Sequence, residues 1–299
     1  MKESISQPGA VSIRRSVLVD YLILTKPELT LLSVVTAVGG AYLAAANTLQ
    51  LSFLLHTFFG TLFVGSGAGA LNQFLEREFD AQMRRTEHRP LPAARIPARH
   101  ALVFGTFLSV AGVVELFVFT HFLAAFLAVA TLATYLFLYT PLKRITPFAT
   151  VIGGIPGALP PLIGWSAVTG GLSMGAWSLF FILFFWQMPH FLALGWMYRK
   201  DYARAQYKLL VALDQTGDVL SRQILIYCIA LLPAALMPTL VGMLGVVYFA
   251  GASVLTTAFL MLAIRLYRDR SNANAKRLFA ASLVYLSVLV AMMIVDRMA

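Results

Sequence analysis

The chain has 299 residues, of which 59% are hydrophobic and only 12% are charged, and its formal net charge is +10. An ordinary soluble domain carries about 25% charged residues, so this composition excludes that class and favours a membrane protein. The positive charge requires no nucleic-acid partner, because excess Lys and Arg in membrane proteins usually mark cytoplasmic loops and contact with anionic membrane lipid. The single cysteine, Cys228, excludes a disulfide framework.

The N-terminal segment carries charged residues and lacks the apolar region and small-residue cleavage site of a signal peptide. We therefore expect residues 1–25 to form a cytoplasmic N-terminal tail that is not cleaved. Residues 26–299 are expected to form a single intramembrane domain.

Nine stretches of the chain approach the roughly 20 apolar residues that a helix needs to cross a bilayer core. They are residues 29–46, 51–71, 101–120, 122–139, 149–168, 174–197, 224–241, 244–266 and 278–295. The sequence thus predicts an all-α, polytopic membrane protein with nine transmembrane helices in one bundle around a central cavity. The fifth stretch contains too many Gly and Pro residues for a regular helix; such a break suits either a cavity wall or close helix packing.

Positive charge is concentrated at alternate connections between these apolar stretches. Of the 23 Lys and Arg residues, 22 fall in the N-terminal tail and at every second connection, and Arg297 is the exception. The positive-inside rule places the N-terminus and these loops in the cytoplasm and the C-terminus outside. We therefore expect the chemistry to face the cytoplasm, in a bacterial inner membrane.

A stripe of oxygen-bearing side chains follows the second apolar stretch. Asn72, Glu76 and Asp80 recur every four residues, a spacing that places them on one face of a helix. Such groups repel one another unless a cation lies between them, and Mg²⁺ suits them when a substrate phosphate completes its coordination. Arg85 and Arg89 lie just downstream and could bind the same phosphate. The alternative is a solvated helix end of mixed charge.

Two further polar groups stand out. Asp201 follows the sixth stretch, in a loop with Arg199, and either faces the first stripe or belongs to an ordinary juxtamembrane loop. Inside the sixth stretch, Trp186, Gln187 and His190 surround a proline. Intramembrane polar residues usually face a cavity, although a single histidine can also serve helix packing. Glu115, within the third stretch, has no evident partner and is expected to point into the bundle.

Several motifs together resemble the UbiA-type intramembrane prenyltransferase superfamily, and in particular its protoheme IX farnesyltransferase branch. The superfamily pattern is the spaced acid stripe, with a second Asp-containing loop after the sixth helix. The branch pattern comprises Lys26-Pro27, Met83-x-Arg85-Thr86-x-x-Arg89-Pro90-Leu91, Tyr139-Thr140-Pro141-Leu142-Lys143-Arg144, Ile152-Gly153-Gly154-Ile155-Pro156-Gly157-Ala158, Trp186-Gln187-Met188-Pro189-His190-Phe191 and Asp201-Tyr202-Ala203. The resemblance extends from about residue 26 to the last helix.

This resemblance implies a Mg²⁺-dependent transfer of a farnesyl group from farnesyl diphosphate to a vinyl group of haem B, which forms haem O. It implies catalytic metal ligands at Asn72, Glu76, Asp80 and Asp201. It implies diphosphate-binding residues at Lys26, Arg85, Arg89, Lys143 and Arg199. It implies haem-binding residues at His190, Gln187 and Trp186. A haem A synthase or terminal oxidase assembly partners are the expected recipients of the product.

The chain departs from the family pattern at two places. The family usually has Asp where Glu76 stands, and it usually continues with Gly and Pro where this chain has Gln206-Tyr207-Lys208. Metal geometry and the role of the second loop are therefore open at this point. Prenylation of a quinone precursor remains an alternative within the superfamily, and a transporter with broken helices is an alternative outside it.

Overall fold

The computed structural model describes residues 16–45 and 50–297, so residues 1–15 of the expected tail lie outside it. Its helices, numbered in chain order, are α1 (Val17–Leu24), α2 (Pro27–Ala44), α3 (Leu51–Asp80), α4 (Ala98–Phe119), α5 (Phe122–Ala133), α6 (Thr140–Leu142), α7 (Ala149–Ala158), α8 (Pro160–Thr169), α9 (Met174–Met197), α10 (Arg199–Arg204), α11 (Leu210–Leu213), α12 (Asp218–Leu240), α13 (Val246–Arg268) and α14 (Asn272–Val295). A π-helical turn, Thr134–Tyr139, joins α5 to α6.

Within these described ranges, nine helical segments are long and apolar enough to cross a membrane. They are α2, α3, α4, the run from α5 to α6, the run from α7 to α8, α9, α12, α13 and α14. The predicted all-α bundle of nine spans is therefore confirmed. The structure adds α1, a short helix that lies inside the expected tail.

The bundle is centred on two of these spans. In the most apolar window of the α7–α8 run and of α9, 61% of residues are buried, compared with 22–33% in the other spans. The outer spans therefore turn most of their surface to lipid, which suits their large exposed Val, Leu and Phe side chains. The α7–α8 run and α9 therefore form the centre of the bundle.

Small residues allow the helices to approach closely. A Cβ atom on Gly112 of α4 would lie 2.6 Å from the Gly60 carbonyl oxygen of α3, and one on Gly164 of α8 would overlap the Ala37 carbonyl of α2. Backbones in membranes pack in this way at small residues, because helix association there depends on van der Waals contact. The glycines thus hold α2, α3, α4 and α8 in fixed register.

The fifth span is broken, as its composition predicts. α7 contains Pro156, which cannot donate a helical hydrogen bond, and Leu159 separates α7 from α8. The amide of Gln187 on α9 donates to the Gly154 carbonyl oxygen at 2.7 Å. A buried side chain of the neighbouring span therefore satisfies backbone polarity at the break, as the absence of water at this depth requires.

Candidate active site

The predicted acid stripe lies on one buried face of α3. This helix runs unbroken for 30 residues, so the membrane span and the stripe form a single rigid element. Asn72, Glu76 and Asp80 are only 1%, 4% and 1% exposed. Buried carboxylates need charged or hydrogen-bonded partners, and the structure brings such partners from three other parts of the chain.

Each member of the stripe has a basic partner. The Lys26 ammonium donates to the Asn72 amide oxygen. Lys143 Nζ lies 2.7 Å from Glu76 Oε1, and Arg89 Nη1 lies 2.7 Å from Asp80 Oδ2. Three of the five residues predicted to bind diphosphate therefore meet three of the four predicted metal ligands. We call this set of six residues the polar cup.

Lys26 reaches the polar cup through an unusual backbone. Its φ of 48° and ψ of 61° place it in the left-handed region, which a residue with a Cβ adopts only when its surroundings hold it there. The surroundings here include α1, whose Ile23 and Leu24 carbonyl oxygens accept hydrogen bonds from Gln73 on α3. The sharp turn between α1 and α2 directs the Lys26 side chain towards Asn72.

The π-helical turn positions the next part of the polar cup. The Tyr135 carbonyl oxygen accepts from the Thr140 hydroxyl at 2.8 Å, and that hydroxyl accepts from the Asn72 amide at 3.1 Å. One helical turn further on, Lys143 Nζ lies 4.4 Å from the centre of the Tyr139 ring. π-Helical turns are rare and occur frequently at functional sites. Here the turn places Thr140 and Lys143 opposite Asn72 and Glu76.

Burial and charge set the protonation of the two lysines. Burial, followed by the nearby Arg89 guanidinium, lowers the pKa of Lys26 to about 7. Burial also acts to lower the pKa of Lys143, but the Glu76 carboxylate and neighbouring tyrosines outweigh it, and the pKa lies well above its usual value. Lys143 is thus a permanent cation, whereas Lys26 readily loses its proton until an anion stabilises the charge.

The second predicted loop meets the polar cup through tyrosines. Arg85 Nη2 lies 3.4 Å from the Tyr202 hydroxyl, and the Arg85 guanidinium lies 5.3 Å from the Tyr198 ring centre. The Tyr207 hydroxyl donates to Glu76 Oε1 at 3.2 Å. The C-terminal ends of α3 and α9 therefore do face each other. Arg199 turns away, because it donates to the Trp196 carbonyl and to Asn272 of α14.

Asp201 stands apart from the acid stripe. It is half-buried on α10, and its carboxylate makes no hydrogen bond or ion pair with any described residue. Among residues 16–45 and 50–297, no three His, Cys, Asp or Glu side chains are close enough to hold a metal ion together. Glu76, Asp80 and Asp201 thus form no such group in this arrangement, and the predicted role of Asp201 remains a prediction.

The three predicted haem-binding residues lie on α9 and form hydrogen bonds to two neighbouring helices. Trp186 Nε1 donates to the Ser282 carbonyl oxygen of α14 at 2.8 Å, and His190 Nδ1 lies 2.7 Å from the Ser282 hydroxyl. Gln187 instead bonds to the broken helix α7. The His190 ring also contacts the ring of Phe279 at 4.7 Å between centres. All three side chains line the central span, with His190 the most exposed of them.

Sequence reasoning missed some partners in and around the bundle. Thr140 and Tyr207 have no spacing relation to α3, because their contacts join residues 68 and 131 positions apart. Glu115, expected to point into the bundle without a partner, lies 2.8 Å from His56. Only the motif that contains Tyr139 and Lys143 indicated that residues near the π-helical turn belong to the site.

Comparison with known proteins defines the class. Residues 33–289 match the UbiA prenyltransferase family, and the chain belongs to this family. With nine apolar helical spans in the part of the chain that the structure describes, it is a multi-pass membrane prenyltransferase.

Relatives in this family share one name. The protoheme IX farnesyltransferase of Solibacter usitatus (strain Ellin6076) is 45% identical over 287 residues, which cover 93% of this chain and 98% of the relative. The protoheme IX farnesyltransferase of Koribacter versatilis (strain Ellin345) is 40% identical over 304 residues, which cover 98% of this chain and 97% of the relative.

Solved structures support the fold alone. A digeranylgeranylglyceryl phosphate synthase aligns with a TM-score of 0.79 at 17% identity, covering 93% of this chain and 98% of the other. A UbiA homologue from Archaeoglobus fulgidus, bound to GPP and Mg²⁺, aligns with a TM-score of 0.68 at 13% identity, covering 92% and 99%.

Proposed function

We propose that this protein transfers a farnesyl group from farnesyl diphosphate to a vinyl group of haem B, forming haem O and releasing diphosphate. The observation that carries the proposal is the polar cup, in which three cations surround a buried acid stripe at one end of an apolar bundle. The relatives' shared name supplies the two substrates. We place the protein in a bacterial inner membrane with the polar cup facing the cytoplasm, as the distribution of Lys and Arg indicates.

The charge of the polar cup suits a diphosphate. Lys26, Arg89 and Lys143 are cations, whereas only Glu76 and Asp80 are anions, so the fully charged set has a net charge of +1. An anionic ligand stabilises the protonated form of Lys26, whose pKa in its absence is about 7. Arg89 and Lys143 can then contact both the stripe and the diphosphate oxygens, and Arg85 extends this basic surface at the edge.

The donors of the stripe fit Mg²⁺. Amide and carboxylate oxygens are hard ligands of the type that Mg²⁺ prefers, usually completed by substrate phosphate and water. Asn72, Glu76 and Asp80 would hold the ion, and Asp201 would join them from α10. When bound, the metal ion neutralises charge that develops on the departing diphosphate oxygens. The lysines that now partner Asn72 and Glu76 keep these groups ordered at the membrane boundary.

The remainder of the bundle excludes water from the reaction. A small apolar cavity lies between α2, α8, α9 and α14, with Thr36, Gly40, Pro161 and Leu183 among its walls. Thr36 lies ten residues beyond Lys26, or about 15 Å along a helix. The cavity thus lies deeper in the membrane than the polar cup, and we assign the isoprenoid chain to it. An allylic cation in such apolar surroundings is protected from hydrolysis.

The proposed transfer breaks one bond of farnesyl diphosphate and forms two new bonds at the vinyl group. The bond between farnesyl C1 and oxygen breaks, and diphosphate leaves with the electron pair. A vinyl carbon of haem B forms a new bond to C1, and water captures the resulting cation and loses a proton. The product carries one farnesyl and one hydroxyl group more than haem B. We assign His190, Trp186 and Gln187 to haem binding.

Haem extraction and mass analysis test the proposal. Purified protein in lipid is incubated with haem B, farnesyl diphosphate and Mg²⁺, with an EDTA control. We expect a haem heavier by one farnesyl and one hydroxyl group, formed only without EDTA. Unchanged haem B beside intact farnesyl diphosphate would overturn the proposal, and prenylation of an aromatic quinone precursor by the same sample would redirect it to that acceptor.

A further inference from the structure

Tyr207 contacts the polar cup, although the proposed chemistry assigns it no role. Its side chain is buried, with 4% of its surface exposed. Its hydroxyl donates to Glu76 Oε1 at 3.2 Å, and Lys143 Nζ donates to the same oxygen at 2.7 Å. Two donors from separate loops therefore converge on one carboxylate oxygen, which fixes the orientation of the carboxylate plane.

The backbone around Tyr207 is built to place this hydroxyl. Gln206 has a φ of +56°, a left-handed conformation that favours glycine and that a side chain adopts only under constraint. The Tyr207 amide donates to the Tyr202 carbonyl oxygen at 3.1 Å, and the Lys208 amide donates to the Lys143 carbonyl oxygen at 2.9 Å. The turn after α10 is thus tied directly to the residue that shares Glu76 with Tyr207.

The ring of Tyr207 is held as firmly as its backbone. It lies 5.9 Å, between ring centres, from Phe79 on α3 and from Tyr202 on α10. The Tyr207 hydroxyl is the donor of this pair, because the carboxylate oxygen of Glu76 can only accept. The contact with Glu76 is therefore a hydrogen bond to a charged acceptor, the stronger kind.

We propose that Tyr207 is a positioning residue, which orients Glu76 for metal and thereby couples the turn after α10 to the acid stripe. This inference rests on the proposed function, in which Glu76 is a metal ligand. A glutamate loses the freedom of three side-chain torsions when it binds a metal. Donors that fix those torsions in advance reduce this cost and increase the affinity. Both donors bond to Oε1, so they fix the position of this oxygen on α3.

Substitution of the two partners tests the coupling. The set comprises the unaltered protein, Tyr207→Phe, Glu76→Asp and the double variant. Tyr207→Phe keeps the ring packing and removes only the hydroxyl, while Glu76→Asp shortens the acid by one methylene so that it no longer reaches Tyr207. Mn²⁺ binding is followed by electron paramagnetic resonance with inorganic diphosphate present, and farnesyl transfer is measured against Mg²⁺ concentration.

We expect Tyr207→Phe to raise the Mn²⁺ concentration for half-saturation about tenfold, in line with the loss of a hydrogen bond to a charged group. The half-saturating Mg²⁺ concentration in the transfer assay rises with it. In the Glu76→Asp background, Tyr207→Phe is expected to change neither value, because the contact is already absent.

A matched control separates positioning from ordinary stabilisation. Tyr248 on α13 is also buried, and its hydroxyl donates to the Ala235 carbonyl oxygen at 2.9 Å. Tyr248→Phe is expected to lower the midpoint of thermal unfolding and to leave metal binding unchanged. If Tyr207→Phe behaves in the same way, Tyr207 is structural and the inference is wrong. An unaltered protein that binds no Mn²⁺ would instead overturn the metal site and the proposed function.

Discussion

The C-terminal ends of α3 and α9 are alike in composition and different in structure. Each places acidic, basic and aromatic residues directly after a long apolar helix. At the end of α3 the acids are buried and paired with cations from other parts of the chain. At the end of α9, Asp201 is half-buried without a side-chain partner in the described ranges, and Arg199 binds the backbone and α14.

Helix continuity explains this difference. α3 continues through its polar residues to Asp80 as one rod, so the face that packs in the membrane also carries the acids into the polar cup. α9 ends at Met197, and a separate six-residue helix carries Asp201. A rigid extension fixes its side chains before substrate arrives, whereas a short surface helix can contribute its carboxylate by adjusting to the ligand.

The largest effect on activity is expected at the end of α3, where the acids are buried. Asp80→Asn keeps the size of the side chain and removes its charge, and we expect at least a thousandfold loss of farnesyl transfer, about 4 kcal/mol of transition-state stabilisation. Turnover is measured by haem mass analysis, with thermal unfolding as the folding control. A folded variant with normal haem O yield would show that Asp80 is no metal ligand.

A smaller loss of activity, with a loss of stability, is expected for Lys143→Met. This change leaves the buried Glu76 carboxylate without its cation, which destabilises a protein by about 3 kcal/mol. It also removes a predicted diphosphate contact, so the KM for farnesyl diphosphate rises. Chemical unfolding and steady-state kinetics measure the two effects. Lys276→Met on α14, where the side chain is exposed and makes no ion pair with the described residues, is the matched control.

Asp201→Asn distinguishes the two helix ends most directly. Asp201 has no side-chain bond to lose within the described chain, so we expect the midpoint of thermal unfolding to stay the same. If the carboxylate joins the metal on substrate binding, kcat falls about tenfold, equivalent to roughly 1.4 kcal/mol. An unaltered kcat at saturating and at limiting Mg²⁺ would remove Asp201 from the set of ligands.

The smallest effect is expected from Arg199. Because its guanidinium is occupied by Trp196 and Asn272, Arg199→Ala should raise the KM for farnesyl diphosphate no more than about twofold, whereas Arg85→Ala should raise it about tenfold. Parallel measurement of both variants provides the contrast. Equal effects would mean that Arg199 leaves α14 and reaches the diphosphate during turnover.

The sequence contains the information for the α3 stripe and only part of that for its partners. Spacing by four residues places Asn72, Glu76 and Asp80 on one face of a helix, and the apolar run before them shows where the helix leaves the membrane. The partners come from 46 and 67 residues away in the case of Lys26 and Lys143. No local pattern encodes which distant loop meets which, so the resemblance to a family supplied those residues.

Other structural features could not be predicted from the sequence. The π-helical turn at 134–139 contains no Gly, Pro or charged residue that would mark a change of helix type. The helix at 17–24 is too short for periodicity to identify it. The pairing of Glu115 with His56 depends on how α3 packs against α4, which the glycines of both helices determine. Packing of this kind depends on the whole bundle rather than on any one segment.

The π-helical turn also sets the rotation of the residues that follow it. A π-helical turn holds one residue more than an α-helical turn. If residues 134–139 formed a regular α-helix instead, the following residues would rotate by about 100° around the helix axis. Thr140 and Lys143 would then turn away from α3, although every side chain of the polar cup would still be present. The backbone conformation of this segment is therefore as important to the site as the side chains that it positions.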